Sequence, residues 1–248
     1  MDNAKSKILV LVEGQKTDPK LMKHLLEVYG IDQSHEIVSY NTNIYTLYNE
    51  MFQDGDPDSL DILQILKEHE KDNTIRELLN QRFSDILLIF DLDPQDPLYA
   101  PEKVLTMMNY FVESSDMGKL YLNYPMVESF YHMKNIPDEE YNSYTVSMAE
   151  LVAKLYKSRV NRENRNHDYN KFAVDKQECD TVIRQNIEKA LLITGNAAST
   201  TVDLPDPVDV LTVQLDTIRD KQLLHVLCTC VFYIVDYNPN FIERSHNQ

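Results

Sequence analysis

Acidic residues follow three apolar segments of this chain, at the points where strands are expected to end. Asp91 and Asp93 follow the run ILLIF, Glu13 follows KILVLV, and Glu128 lies shortly after KLYL. Ligands of open parallel sheets bind beyond the carboxyl ends of the strands, so these side chains are expected to converge if their strands are neighbours. Several carboxylates in one place need a cation, and hard oxygen ligands select Mg²⁺ or Mn²⁺. Such an ion activates water and stabilises in-line displacement at phosphorus, so the pattern predicts phosphoryl-transfer chemistry.

Each of these residues also has an ordinary structural explanation. An Asp-x-Asp pair after a strand is weak evidence for a metal when it stands alone, and Glu128 fits the exposed side of a helix. Asp18, before Pro19, fits a helix N-cap at least as well as it fits a metal ligand. The combination is more informative, because the Glu-Gly and Asp-x-Asp pairs both end an uninterrupted apolar run.

The elements that must position these residues alternate in type along the first half of the chain. Continuous apolar runs at 7–12 and 86–90 are typical of parallel strands buried on both faces, and weaker strands are expected at 37–39 and 119–122. Apolar residues at helical spacing predict helices at about 19–29, 44–52, 60–70, 73–82, 102–113 and 124–133. The alternation predicts an α/β fold, a mostly parallel sheet flanked by helices.

The second half of the chain has a mainly helical pattern. A capping box at 147–150 opens one helix, a similar signal at 175–178 opens another, and 208–235 is expected to be helical or mixed. We therefore expect a catalytic domain at 1–135 and a mainly helical region at 136–248.

Composition excludes several classes of function. The chain has 248 residues, 40 of them acidic and 24 basic, for a net charge of −16, which argues against a protein that coats nucleic acid with its whole surface. Its five glycines are too widely spaced for GxGxxG or GxxxxGK, and HExxH and GxSxG are absent. With three cysteines, no signal peptide and no apolar run of about 20 residues, a reduced cytoplasmic protein is expected.

The motifs at the first two strand ends together resemble the Toprim domain, which occurs in topoisomerases, primases and OLD-type nucleases. The longer string VEGQKTDP is similar to the small Toprim proteins of phage-defence systems, namely the RloB-type family and the effector of the PARIS system. Asp18 stands where those proteins usually have Glu. The string NYPMVES is similar to their later acidic motif, and the resemblance covers about residues 7–133.

The resemblance implies a nuclease dependent on Mg²⁺ or Mn²⁺ that cleaves DNA or RNA, with tRNA among the candidates, as an effector of bacterial anti-phage defence. Glu13 would act as general acid/base or metal ligand, and Lys16 would neutralise the scissile phosphate. The residues implied in catalysis are Glu13, Lys16, Asp91 and Asp93. The residues implied in metal binding are Glu13, Asp18, Asp91, Asp93 and Glu128.

One segment departs from the overall acidity. Between Lys154 and Lys176, seven basic residues outnumber three acidic ones, and aromatic residues are interleaved with them. Basic and aromatic side chains together suit unpaired nucleic acid, so this basic segment is a candidate binding surface. The residues predicted to bind nucleic acid are Arg159, Arg162, Arg165 and Tyr169. A solvated helix followed by a loop explains the same composition.

Other functions stay open on the sequence alone. Phosphatases of the haloacid-dehalogenase type and nucleotide-sugar transferases also use Asp-x-Asp, although neither explains the Glu-Gly motif. A non-catalytic, acidic regulatory subunit with a Toprim fold is the alternative outside enzymes. The net charge favours a protein partner, such as an ATPase, that holds or activates the chain, and a homo-oligomer is a further alternative.

Overall fold

The structure is a computed structural model that describes residues 6–52, 57, 60–115, 117–196 and 203–242. Its strands are β1 (Lys7–Val12), β2 (His35–Ser39), β3 (Phe83–Asp91), β4 (Val112–Glu113), β5 (Gly118–Asn123), β6 (Thr145–Ser147) and β7 (Leu223–His225). Its α-helices are α1 (Thr17–Val28), α2 (Ile44–Phe52), α3 (Ile62–His69), α4 (Asn73–Leu78), α5 (Pro101–Tyr110), α6 (Met148–Val152), α7 (Tyr156–Glu163), α8 (Lys176–Ile193), α9 (Pro207–Lys221) and α10 (Phe232–Tyr237).

The main sheet has five strands in the order β2-β1-β3-β5-β4. Strand β1 runs parallel to both β2 and β3, and the short β4 pairs antiparallel with β5. This architecture, a mostly parallel sheet flanked by helices, confirms the predicted α/β class. Strands β6 and β7 form a separate antiparallel pair.

The two apolar runs of the sequence lie at the centre of the sheet. Residues 9–12 of β1 and 87–90 of β3 are buried on both faces, as parallel strands covered by helices require. The register pairs Val12 with Ile89. Residues that follow these two strands therefore emerge at the same edge of the sheet.

The chain divides into two compact units. The first comprises Met1–Phe90 and Ala100–Leu120, and it contains α1 to α5. The second comprises Asp91–Tyr99 and Tyr121–Gln248, and it contains α6 to α10. The long helix α8 contributes buried apolar residues such as Val182, Ile183 and Ile187 to the second unit. The predicted domain boundary after residue 135 stays a prediction.

Several local predictions differ from the structure. Helix α1 begins at Thr17 with Lys16 as its N-cap, so the N-cap predicted at Asp18 is wrong. The helix predicted at 124–133 is replaced by a short 3-10 helix at Val127–Tyr131. The backbone of Tyr124 is extended there because its N–H and C=O both bond to Leu227.

The second half of the chain is less continuous than its helical pattern indicates. Ser147 caps α6 as predicted, since its hydroxyl accepts the N–H of Glu150, but the carboxylate of Glu150 pairs with Arg159 and α6 ends after five residues. The predicted helical or mixed segment 208–235 is mixed, since it holds α9, β7 and α10. Across the described parts of the chain, no helix combines the length and apolarity needed to span a bilayer.

Candidate metal centre

Three carboxylates meet at the ends of β1 and β3. Glu13, Asp91 and Asp93 each present an oxygen atom, and these atoms all lie within 4.8 Å of one another. The pairing of the strands explains this, because the N–H of Glu13 donates to the C=O of Ile89 at 3.1 Å and Asp91 is two residues further along β3. We call these three residues the acidic cluster.

The backbone that presents Asp93 is held by two hydrogen bonds beyond the end of β3. The N–H of Leu92 donates to the C=O of Asn123 at 3.0 Å, and the N–H of Asp93 donates to the C=O of Pro125 at 3.1 Å. Asp93 has a positive φ of 38°, a region where Asp is among the better tolerated residues. The Asp-x-Asp motif thus leaves the strand in a bent conformation that places both carboxylates in the acidic cluster.

Asp93 has an electrostatic environment that disfavours its charge. Burial raises the pKa of Asp93 to about 6, and the neighbouring charges of Glu128 and Asp96 act in the same direction. A hydrogen bond from Gln95 at 2.9 Å and the charge of Lys157 act in the opposite direction without cancelling the effect. A cation bound beside Asp93 would offset this cost, because an opposite charge favours the ionised form.

Asp91 is buried, with 7% of its surface exposed, and it contacts a fully buried amide. The side-chain nitrogen of Asn123 lies 3.4 Å from the Oδ1 atom of Asp91. The amide oxygen of Asn123 accepts the backbone N–H of Cys230 at 3.2 Å, which fixes which end of the amide faces Asp91. Asp91 is therefore oriented by a group that can only donate to it.

Glu128 lies close to these residues without belonging to the acidic cluster. Its side chain is buried, and its Oε1 atom forms an ion pair with Lys157 at 3.0 Å. Its Oε2 atom is buried and has no hydrogen-bond partner in the described part of the chain. Glu128 therefore acts on the site through charge, as its effect on the pKa of Asp93 indicates. Its predicted role as a metal ligand stays a prediction.

Lys157, on α7, is the residue that the sequence analysis missed. Burial alone lowers its pKa, but the charge and hydrogen bond of Glu128 raise it above the ordinary value of lysine. The charges of Asp91 and Asp93 act in the same direction as Glu128. In the sequence, Lys157 is one of seven basic residues of the basic segment, and no local pattern sets it apart from the others.

The loop after β1 packs Asp18 against Gly14. Asp18 is 5% exposed, and a Cβ atom on Gly14 would lie 2.6 Å from its Oδ2 atom. A larger residue at position 14 would therefore displace the loop or the Asp18 carboxylate. Lys16 is exposed on the same loop and forms no ion pair with another described residue. The predicted roles of Asp18 at a metal and Lys16 at a phosphate stay predictions.

The arginines of the basic segment differ in exposure and in partners. Arg159 bonds to Glu163 and Glu150 at 3.3 Å, and its side chain is 24% exposed. Arg165 pairs with Glu178 at 2.8 Å. Arg162 is 70% exposed, with Glu163 at 3.5 Å. All three arginines therefore have an acidic partner within the protein, and Arg162 is the most accessible of them.

Tyr169, the fourth residue predicted to bind nucleic acid, is stacked on another tyrosine. The ring centroids of Tyr131 and Tyr169 are 4.0 Å apart with an interplanar angle of 6°. Burial and the charge of Glu128 raise the pKa of Tyr169. One face of the Tyr169 ring is therefore occupied within the protein, and its predicted contact with a base stays a prediction.

No family model, curated protein or solved structure matches this chain. The resemblance to the Toprim family therefore stays a prediction from the motifs. The residues of the acidic cluster fit a hard divalent cation, because all three supply carboxylate oxygens at mutual distances that one ion can bridge. A ligand set of this kind could hold Mg²⁺ or Mn²⁺.

Proposed function

We propose that this protein is a metal-dependent nuclease with a Toprim-like fold that cleaves phosphodiester bonds of DNA or RNA, tRNA included. The observation that carries the proposal is the meeting of Glu13 with Asp91 and Asp93, far apart in sequence, within 4.8 Å. Glu13-Gly14 and Asp91-x-Asp93 are also the two motifs on which the resemblance to Toprim nucleases rests. A DxD phosphatase or glycosyltransferase gives no role to Glu13.

In this proposal the acidic cluster would hold Mg²⁺ or Mn²⁺, which supplies charge stabilisation at phosphorus and a water of lowered pKa. Asp91 is oriented by the amide of Asn123, whose nitrogen lies 3.4 Å from its Oδ1 atom. Glu13 is half-buried, so it remains able to exchange a proton with the attacking water or the leaving oxygen.

Two lysines can supply positive charge to the substrate phosphate. Lys157 is paired with Glu128, and its charge already acts on Asp91 and Asp93, which supports a role beside the reacting phosphate. Lys16 is exposed on the loop after β1, so its contribution requires that this loop contact the substrate. We therefore assign the larger contribution to Lys157.

The place of this nuclease in anti-phage defence rests on the motif strings alone. An effector of that kind is kept inactive until an infection, and a net charge of −16 favours an ATPase or another protein partner with a basic surface. We therefore expect weak cleavage by the isolated chain. Robust cleavage of generic duplex DNA without any partner would contradict this regulatory part of the proposal.

The decisive experiment incubates the full chain with labelled single-stranded DNA, duplex DNA and tRNA, in Mn²⁺, in Mg²⁺ and in EDTA. We expect cleavage that requires a divalent ion and is abolished by Asp91→Asn and by Glu13→Gln. Asp209→Asn, at an exposed position of α9, is the matched control and is expected to cleave like the wild type.

Two results would overturn the proposal. Cleavage by Asp91→Asn at the wild-type rate would show that the acidic cluster is not the active site. Turnover of a phosphate monoester or a nucleotide sugar, with all polynucleotides intact, would favour the alternative DxD enzymes.

A further inference from the structure

A cavity of about 430 Å³ lies in the first unit, beyond the carboxyl end of β2. It is lined by residues from the loop after β1, from the end of β2 and the loop that follows, from α3 and the turn after it, and from the end of α4. A cavity of this size is in the range of sites that bind small organic molecules, roughly 300–1,000 Å³.

Residues that line this cavity form backbone hydrogen bonds with the end of β1 and with Glu13. Two lining residues extend the ladder between β1 and β2, because the N–H of Tyr40 donates to the C=O of Val12 at 2.8 Å and the N–H of Asn41 donates to the C=O of Glu13 at 3.1 Å. Gln15 also lines the cavity and is two residues from Glu13, so their Cα atoms are at most about 7 Å apart. A ligand in the cavity would therefore lie next to the acidic cluster at Glu13.

The lining combines apolar walls with uncharged polar groups. Val38, Leu66 and Leu79 are buried apolar residues, whereas Gln15 and Asn41 are exposed amides. Neither amide side chain forms a hydrogen bond within the described residues. Apolar walls with a few free amide groups suit a planar heterocycle that carries donors and acceptors at its edge, as a nucleobase does.

Charge also favours a base over a phosphate inside this cavity. Lys71 and Glu70 line it with opposite charges, and the Oε1 atom of Glu70 also accepts the backbone N–H of Lys71 at 2.7 Å. His69, also in the lining, is paired with Glu50 at 3.0 Å. Because these charges are balanced, an uncharged ring is the better ligand.

We propose that this cavity binds one unpaired base of the nucleic-acid substrate, from a nucleotide adjacent to the phosphate that is cleaved. The inference rests on the proposed nuclease function and adds a substrate class to it, namely single-stranded or looped nucleic acid. A base paired inside a duplex cannot enter such a cavity without first leaving the stack.

The test is an abasic scan of a single-stranded oligonucleotide with one preferred cleavage site. Removal of the base that enters the cavity is expected to reduce the rate of wild-type cleavage at least about tenfold. The effect is expected at one position near the cut, because the contacts of one stacked or hydrogen-bonded base are lost. Thr42→Trp places a large ring in the cavity lining, and we expect this variant to cleave slowly and to lose that position dependence. Thr106→Trp, at an exposed position of α5 outside the lining, is the matched control and is expected to keep the wild-type profile.

Gln15→Ala provides a milder variant, and circular dichroism of each protein identifies any loss of folding. We expect Gln15→Ala to reduce the penalty at the same abasic position while the fold is kept. A wild-type abasic profile retained by both Thr42→Trp and Gln15→Ala would overturn the inference.

The failure of this inference can be distinguished from failure of the nuclease proposal. Wild-type protein that cleaves the intact oligonucleotide with a flat abasic profile would leave the nuclease standing and overturn the base site. Wild-type protein that cleaves no polynucleotide would overturn both. Titration with free mononucleotides separates a third case, because tight binding of a mononucleotide together with a flat abasic profile would overturn the substrate site in favour of an effector site.

Discussion

At the ends of β1 and β3, three carboxylates lie within 4.8 Å of one another, whereas the arginines of the basic segment lie beside carboxylates that neutralise them. Like charges in one place raise the free energy of the protein unless a ligand offsets them, and opposite charges in pairs need no ligand. The arrangement of charges therefore indicates a binding site better than their number does. The basic segment is conspicuous in the sequence, but each of its three arginines lies beside a carboxylate of the protein, and only Arg162 is largely exposed.

The largest expected effect is on the acidic cluster, through Asp91→Asn. Loss of one carboxylate is expected to weaken Mn²⁺ binding by at least about 100-fold. A residue that binds the metal directly contributes more to affinity than the residues that hydrogen-bond to the ligands. The metal-free variant is expected to melt at a higher temperature than the wild type, since a repulsive charge is gone. Calorimetric titration with Mn²⁺ and thermal melts with and without Mn²⁺ measure both effects.

Asp209→Asn is the control for these measurements and is expected to match the wild type in both. Equal Mn²⁺ affinity in Asp91→Asn and the wild type would show that the acidic cluster binds no cation. The proposed difference between the acidic cluster and the basic segment would then be wrong.

A second test concerns the packing next to Glu13. Gly14→Ala places a methyl group 2.6 Å from the Oδ2 atom of Asp18, so the loop or the Asp18 side chain must shift. We expect a loss of about 1–3 kcal/mol in the free energy of unfolding, typical of overpacking, together with slower cleavage. Urea denaturation measures the loss.

Asp18→Ala removes the atoms that the new methyl group would contact. The cost of Gly14→Ala is therefore expected to be smaller in the Asp18→Ala background, with a coupling of about 0.5–3 kcal/mol. Additive costs would show that Asp18 does not set the requirement for glycine.

The third test separates the arginines of the basic segment. Arg159→Ala leaves Glu163 and Glu150 without this partner and is expected to cost about 1–3 kcal/mol of unfolding free energy. Arg162→Ala, at a side chain that is 70% exposed, is expected to change stability by less than about 0.5 kcal/mol. Denaturant unfolding of the two variants measures the difference.

Arg162→Ala also tests the predicted nucleic-acid surface. If the basic segment binds substrate, Arg162→Ala is expected to weaken binding and to lower the salt slope by about one. Unchanged affinity and salt slope in Arg162→Ala would leave the basic segment with a structural role alone.

A last test concerns the pH dependence that His132 contributes beside these arginines. Burial lowers the pKa of His132 to about 4, despite its hydrogen bond to Glu163. Between pH 4 and 6.5 the unfolded state then binds more protons than the folded state, so the free energy of unfolding rises with pH across this window. Urea unfolding at several pH values is expected to show a smaller rise in His132→Gln than in the wild type, and identical rises would contradict the assignment.

Much of the first unit could be predicted from sequence, because its strands are buried on both faces. The run at 7–12 is β1 as predicted, and the run at 86–90 lies within β3. The three carboxylates lie together because β1 and β3 are neighbours in the sheet, although β2 lies between them in the chain. Hydrophobic periodicity contains no information on strand order. The sequence alone therefore predicts the site only on the condition that β1 and β3 are neighbours.

The second unit was harder to predict because long-range pairing decides its local structure. Tyr124 is extended by its bonds to Leu227, and the three-residue strands β6 and β7 pair across more than seventy positions, so neither leaves a periodic signal. Lys157 was missed for the same reason, since its partner Glu128 lies on a different element. The contacts that complete the site are therefore long-range contacts, which local sequence patterns do not reveal.

The fixed amide of Asn123 has a consequence for natural variation. Asparagine and aspartate have nearly the same shape, and an exchange between them in a sequenced isolate would ordinarily be scored as benign. Here the Cys230 N–H holds one oxygen of the side chain, so Asn123→Asp would turn its second oxygen toward Asp91 and replace a donor by a negative charge. An isolate with that exchange is expected to lose both stability and activity, because a second carboxylate would be buried beside Asp91.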